Sequence, residues 1–421
     1  MSSDPSWPTR QETTMSKRTT KRPVSARGQG LRPITGRLKA ALRGAWIAAW
    51  QGLGRALLAG ESWLTSSKKA LYGLSVFRIL GGVAALGLLV SNYSTRLYTF
   101  GSGSAWNVEN IQPTSRFSTM PVFSIMRMIA YDDLLFTAVY VAMIVLSILL
   151  ILGYRTRLVL PVFWVLWVGL IELAPAVGDQ SDNLSRILLL LIFFTDASSR
   201  WSLDARRRRR RQTRPGGGAI VRLWRGQPVM PSWFSNTVHN LALVLIVFQT
   251  ICTYMAGGLF KAAGESWQHG TAIWGPLNVD VFNPFPVLSG IATASPILIA
   301  VASVMTVLAQ VAFPFLLLNR WTRIAALLVM FSFHLAIGVL MGLPWFSMWM
   351  FAADAVLIRD LTYGRLGRWT REIVRPSGTR RRDEEAAATS DPDPERASDL
   401  EQAPEPVSAR DTSRVAPWAT T

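Results

Sequence analysis

Apolar residues along this chain gather into eight blocks between residues 70 and 358. Most approach the roughly 20 residues that a bilayer span requires, and they are continuous rather than alternating with polar positions. The blocks fall at about 70–90, 134–153, 158–176, 183–196, 236–260, 291–318, 324–343 and 344–358. The fourth and eighth are short, and the sixth carries Pro314, expected to kink or break it. The pattern predicts an all-α, polytopic integral membrane helical bundle of about eight transmembrane helices.

Outside the blocks the pattern changes. Residues 1–36 are polar and basic and read as a disordered tail. Over 37–66 a stripe of Leu38, Leu42, Trp46, Ala49, Leu53, Leu57 and Leu64 recurs at helical steps, with Lys39, Arg43 and Arg55 off it. Such a helix suits the surface of an anionic leaflet or a packing face elsewhere in the protein. A transmembrane domain then occupies 67–360, interrupted over 91–130 by polar and aromatic sequence with a short helix near Phe123–Ala130. From 361 to 421 the composition becomes first basic, then rich in Ala, Asp, Glu and Pro, and reads as a second disordered tail.

Charge adds orientation. The formal net charge of +18 would suit nucleic acid, but the basic residues sit in the tails and in a few connections between apolar blocks. That is the positive-inside arrangement of a multi-pass cell-membrane protein, with anionic lipid as the partner of its basic segments and no nucleic acid. Thirteen Lys and Arg precede the first block, ten arginines fall in 198–235, and eleven follow the last block. The alternate connections hold only Arg96, Arg116, Arg127 and Lys261. Both termini are therefore expected in the cytoplasm and Lys261 outside it. Cys252 is the only cysteine, which excludes an intramolecular disulfide and a cysteine metal cluster. No cleavable signal peptide, P-loop, zinc-binding His-Glu-x-x-His or G-x-S-x-G elbow is present.

Candidate chemistry concentrates in Tyr254–Ala272, where an apolar run ends on Lys261 and meets Glu265, Trp267, His269 and Gly270. Lys261 reads either as an interfacial anchor or as a functional amine. Arg78 and Asp354 are charges inside apolar blocks, costly in lipid, and their expected role is a structural ion pair. His334 lies inside the seventh block as either a neutral core residue or a base. His239 belongs at the inner start of the fifth block, far from Lys261.

Several of these residues together resemble the HTTM (horizontally transferred transmembrane) family, which is related to the membrane domain of vitamin K-dependent gamma-carboxylase. The resemblance runs through Tyr254, Gly258-Leu-Phe-Lys261, Trp267 and Gly270-Thr-Ala272. It extends to Ser75-Val-Phe-Arg78, Asp182-Asn-Leu-Ser-Arg186, Arg200-Trp-Ser-Leu-Asp204, Phe333-His334 and Met341-Gly-Leu-Pro-Trp345. By this resemblance Lys261 is the base that deprotonates reduced vitamin K or a similar quinol. The quinol reacts with oxygen, and its strongly basic product removes a glutamate γ-proton before carbon dioxide adds. A lysine serves as a base at neutral pH when desolvation lowers its proton affinity. His334 would assist it, while Trp267 and His269 would hold the cofactor, His269 at a cavity mouth or on the surface. The chain departs from the carboxylase in the spacing from Lys261 to Trp267 and in lacking a large lumenal domain after the last block. A related branch matures secreted bacterial peptides, so a secreted peptide is the expected substrate. A transporter or a non-enzymatic scaffold for such a peptide is the alternative; its mark would be a cavity at mid-depth lined by Arg78 and Asp354.

Overall fold

The computed structural model describes residues 32–105, 120–211, 221–222 and 229–374, and no strand occurs among them. Two compact units part at Ser66. In the first, α1 (Arg32–Ser66) is a single helix whose stripe of Leu38, Leu42, Trp46, Leu53 and Leu57 is exposed. The second unit holds α2 (Leu71–Ser91), α3 (Pro121–Ala130), α4 (Asp133–Leu152), α5 (Thr156–Leu173), α6 (Gln180–Phe193) and α7 (Leu203–Arg211). After these come α8 (Ser232–Ala263), α9 (Pro286–Thr293), α10 (Pro296–Leu316), α11 (Arg320–Leu340), α12 (Pro344–Leu357) and α13 (Asp360–Val374).

Six of these helices, α2, α4, α5, α8, α10 and α11, are long and apolar enough to cross a membrane. The short fourth and eighth blocks become α6 and α12, with 14 residues each. At helical rise that is about 21 Å, well short of the ~30 Å hydrocarbon core. Much of α12 is buried, Trp349, Ala352 and Ala353 included. It packs along α2, which glycine makes possible: a Cβ on Gly73 would stand 2.8 Å from the Ala355 carbonyl oxygen, and one on Gly81 2.8 Å from the Trp349 ring.

Helix ends are fixed by acids from distant parts of the chain. Asp360 accepts the Leu71 and Tyr72 N–H groups at 3.0 Å each, capping α2, and Asp204 accepts those of Arg155 and Thr156, capping α5. Each satisfies N–H groups that a helix start leaves without partners. The Trp-Ser-Leu-Asp segment thus has a structural task. Nearby, burial works against ionising Asp196, yet Lys68 at 3.2 Å and Arg208 hold its carboxyl below the ordinary range.

Three expectations are corrected. Arg78 and Asp354 do not pair. The Arg78 guanidinium donates to the carbonyls of Leu150, Ile151, Ala197 and Trp201, capping the C-terminal end of α4, while Asp354 is bound elsewhere. The sixth block is two helices, α9 and α10, and α10 runs through Pro314 to Leu316 instead of breaking there, with only two residues of helix left beyond the proline. The tail expected from residue 361 begins with a helix, α13, held by Asp360 and by the buried Tyr363, whose hydroxyl donates to the Ala355 carbonyl. Residues 1–31 and 375–421 of the two expected tails lie outside the described residues.

Candidate functional site

Lys261 sits in the last turn of α8, two turns after Tyr254 on the same face. Gly257 and Gly258 lie between them and let α10 approach. A Cβ on Gly258 would meet the Gln310 Cβ at 2.9 Å and the Val311 nitrogen at 3.0 Å. A Cβ on Gly257 would stand 3.6 Å from both Lys261 Nζ and Gln310 Oε1, so these two polar atoms flank one bare stretch of backbone.

Among the described residues Lys261 has no carboxylate in ion-pair range. Its ammonium lies 3.4 Å from the Gly257 carbonyl and 5.5 Å from the centroid of the Trp267 ring, a cation–π contact. Gly264 ends α8 in extended conformation and opens the short helix Glu265–Gln268 that carries this tryptophan back toward the lysine.

Behind Lys261 lies a buried chain of three residues. The Tyr254 hydroxyl is 2.9 Å from both carboxylate oxygens of Asp354 and 3.2 Å from His334 Nε2. A tyrosine has one hydrogen to donate. With Asp354 ionised that hydrogen goes to the carboxylate, so His334 must donate from Nε2 and leave Nδ1 as a bare acceptor. His334 is buried, and among the described residues its Nδ1 has no partner; neither does the buried Gln310 Oε1.

Lys261, Trp267, Gln310, Tyr254 and His334 all line one cavity of ≈ 330 Å³, whose other walls are mainly apolar. A second apolar cavity of ≈ 380 Å³ between α10 and α11 shares Ile273, Leu277, Phe333, Ala336 and Leu340 with it. It is edged by exposed side chains such as Leu298 and Met305, so together the two make a chamber with an apolar annex.

The expected site residues therefore divide. Lys261, His334 and Trp267 meet at the cavity. His269 is exposed and is not part of its wall, although the chain rejoins the wall at Ala272 and Ile273. Asp354 belongs to the site through Tyr254, whereas Arg78 is remote from it, beside a void of only ≈ 10 Å³ that Asp354 does not line. His239 is structural: it accepts the Asp196 N–H on Nδ1 at 2.9 Å and places Nε2 2.9 Å from the Lys69 carbonyl. Tyr254 and Gln310 are the members that sequence reasoning did not single out as site residues; a lone glutamine in an apolar block was the available signal for the second. Among the described residues no group of three His, Cys, Asp or Glu is placed to hold a metal ion. No family model, curated protein or solved structure matches the chain.

Proposed function

We propose that this multi-pass membrane protein is an HTTM-like enzyme that binds a reduced, apolar-tailed quinol beside Lys261 and uses it to modify a peptide outside the cytoplasm, by carboxylation or a related reaction. One observation carries the reading. Around a single apolar cavity stand, among the described residues, an amine without a carboxylate partner and two buried polar atoms without partners, Gln310 Oε1 and His334 Nδ1, the second an acceptor when Asp354 is ionised. Buried acceptors left unpaired are costly, so the ligand that belongs there brings hydrogen-bond donors on an apolar frame. A quinol has two hydroxyl donors and an oxidised quinone has none. The annex between α10 and α11 suits an apolar tail.

In this reading the free amine of Lys261 accepts a quinol hydroxyl proton, and the Trp267 ring face favours the ammonium that results. Before that transfer the two hydroxyls donate to His334 Nδ1 and Gln310 Oε1; the one beside Lys261 then gives its proton to the amine, and the other keeps the ring oriented. Bound there, the quinol supplies the reducing power for chemistry with oxygen. The HTTM resemblance and the charge pattern also support eight crossings, with both termini in the cytoplasm of a cell whose membrane the protein spans. On this topology α6 and α12 cross despite their length because protein shields them from lipid.

The test uses full-length protein in nanodiscs with a short-chain menaquinol, oxygen, bicarbonate and a glutamate-containing peptide. Quinone epoxide should form, and Lys261→Ala should form it roughly 10²- to 10⁴-fold more slowly, the scale of losing a general base. Folded wild type that retains quinol but yields no epoxide would refute the chemistry alone. Failure to retain quinol would refute the site.

A further inference from the structure

At the opposite end of the α11–α12 pair, a cleft of ≈ 690 Å³ is lined by four arginines: Arg320 and Arg323 from the start of α11, and Arg359 and Arg365 from the approach to and body of α13. None of the four has a carboxylate within ion-pair range among the described residues. The acid adjacent in sequence, Asp360, is engaged by the N–H groups of Leu71 and Tyr72. The remaining wall is mostly apolar, with Leu327, Leu328 and Phe331 along α11. The cleft is not a chance gap between loose parts. Asp360 and the buried Tyr363 fasten α13 to α2 and α12, so the two arginine pairs are held facing one space.

Two requirements follow from this chemistry. Four like charges around one space repel one another until an anion joins them, and the apolar wall stays unfavourably hydrated until apolar matter covers it. Inorganic phosphate meets only the first requirement and a neutral lipid only the second. The level in the membrane agrees. Trp321 at the start of α11 and Trp369 on α13 are exposed, Arg320 lies 5.0 Å over the Trp321 ring, and Leu361 and Leu366 are exposed on α13. Exposed tryptophan and arginine mark the headgroup layer, and a basic helix with outward leucines lies in it.

We propose that this cleft is a specific seat for an anionic phospholipid, its phosphate held among the arginines and one acyl chain laid along Leu327, Leu328 and Phe331. The bound lipid bridges α11 to α13 and holds the α11–α12 pair at the end away from the Lys261 cavity. The site is independent of any reaction at Lys261.

Full-length protein delipidated in a neutral detergent would be titrated with phosphatidylglycerol, with phosphatidylcholine and with inorganic phosphate, reading the thermal unfolding midpoint and bound lipid by native mass spectrometry. Phosphatidylglycerol should raise the midpoint saturably with one tightly retained lipid, and the other two should not. Arg359→Gln/Arg365→Gln, both exposed side chains, should weaken that binding roughly 10- to 30-fold, from about 1 kcal/mol per arginine near an anionic surface. Should that variant fail to fold, Arg320→Gln/Arg323→Gln carries the same expectation. An equal response to phosphatidylcholine would reduce the cleft to an apolar groove, and a full response to inorganic phosphate to an anion site. Unchanged phosphatidylglycerol affinity in a folded double variant would move lipid binding elsewhere, the arginines of α7 first, and overturn the proposal.

Discussion

Tyr254 has one hydroxyl hydrogen and two polar neighbours, the Asp354 carboxylate and His334 Nε2, and this scarcity sets the proton arrangement of the site. Tyr254→Phe keeps the ring against Phe313 but strips the carboxylate of its donor. It should destabilise the protein by about 1–3 kcal/mol, the cost of leaving a buried acceptor unpaired. Chemical unfolding in micelles measures this, and adding Asp354→Asn should recover part of the loss; a neutral Tyr254→Phe would mean that the three residues are not coupled. Gln310 makes the opposite prediction for stability. Its Oε1 is buried without a partner, so Gln310→Leu should leave the ligand-free protein as stable or more so while weakening quinol retention about tenfold. Equal retention would remove Gln310 from the site.

Between helices, spacing is set by what glycine leaves out. Gly73 lets α2 approach the α12 backbone, so Gly73→Ala should cost about 1–3 kcal/mol through overpacking. Gly364, inside α13 with nothing within 4 Å of its missing Cβ, should gain up to about 1 kcal/mol when changed to alanine. Unfolding of the two variants side by side checks the pair; similar effects would mean that α2 and α12 are not in such close contact. The same contrast shows what could be read in advance. Helix positions were legible because long apolar blocks have little alternative to helix, and Lys261 was legible because a charge ends such a block. Partners were not. Block boundaries give a residue's height along its helix but not which neighbour its face meets, so Arg78 and Asp354 looked like a pair when each had found partners on other, sequence-distant elements. Tyr254 and Gln310 escaped notice as site residues because one tyrosine or glutamine in an apolar run looks like core until its neighbours are known. Pro314 looked like a break because its distance from the helix end was not evident.

The second unit is a helical bundle with different ends, and the proposed chemistry depends on which way it faces. Lys261 at the end of α8 and the arginine cleft at the start of α11 lie at opposite ends of the bundle, since the Lys261 cavity touches Leu340 and Met341 and the cleft touches Arg320 and Arg323. With Lys and Arg concentrated before the first apolar block, in residues 198–235, in the connection holding Arg320 and Arg323 and after the last block, the cleft end should face the cytoplasm and Lys261 the outside. Accessibility tests this once the single native thiol is removed by Cys252→Ala. In intact cells a membrane-impermeant maleimide should label Gln268→Cys, and should reach Leu318→Cys only after permeabilisation; the reverse pattern would put Lys261 in the cytoplasm and remove the case for a secreted peptide substrate. A second pair asks whether α6 crosses. Val177→Cys before it and Arg209→Cys after it, both exposed positions, should differ in the same way. If both label alike, α6 is a helix buried in the bundle that returns the chain to the same side. The connections after it would then change sides, so this pair and the Gln268 and Leu318 pair must agree before the orientation of the Lys261 cavity is accepted.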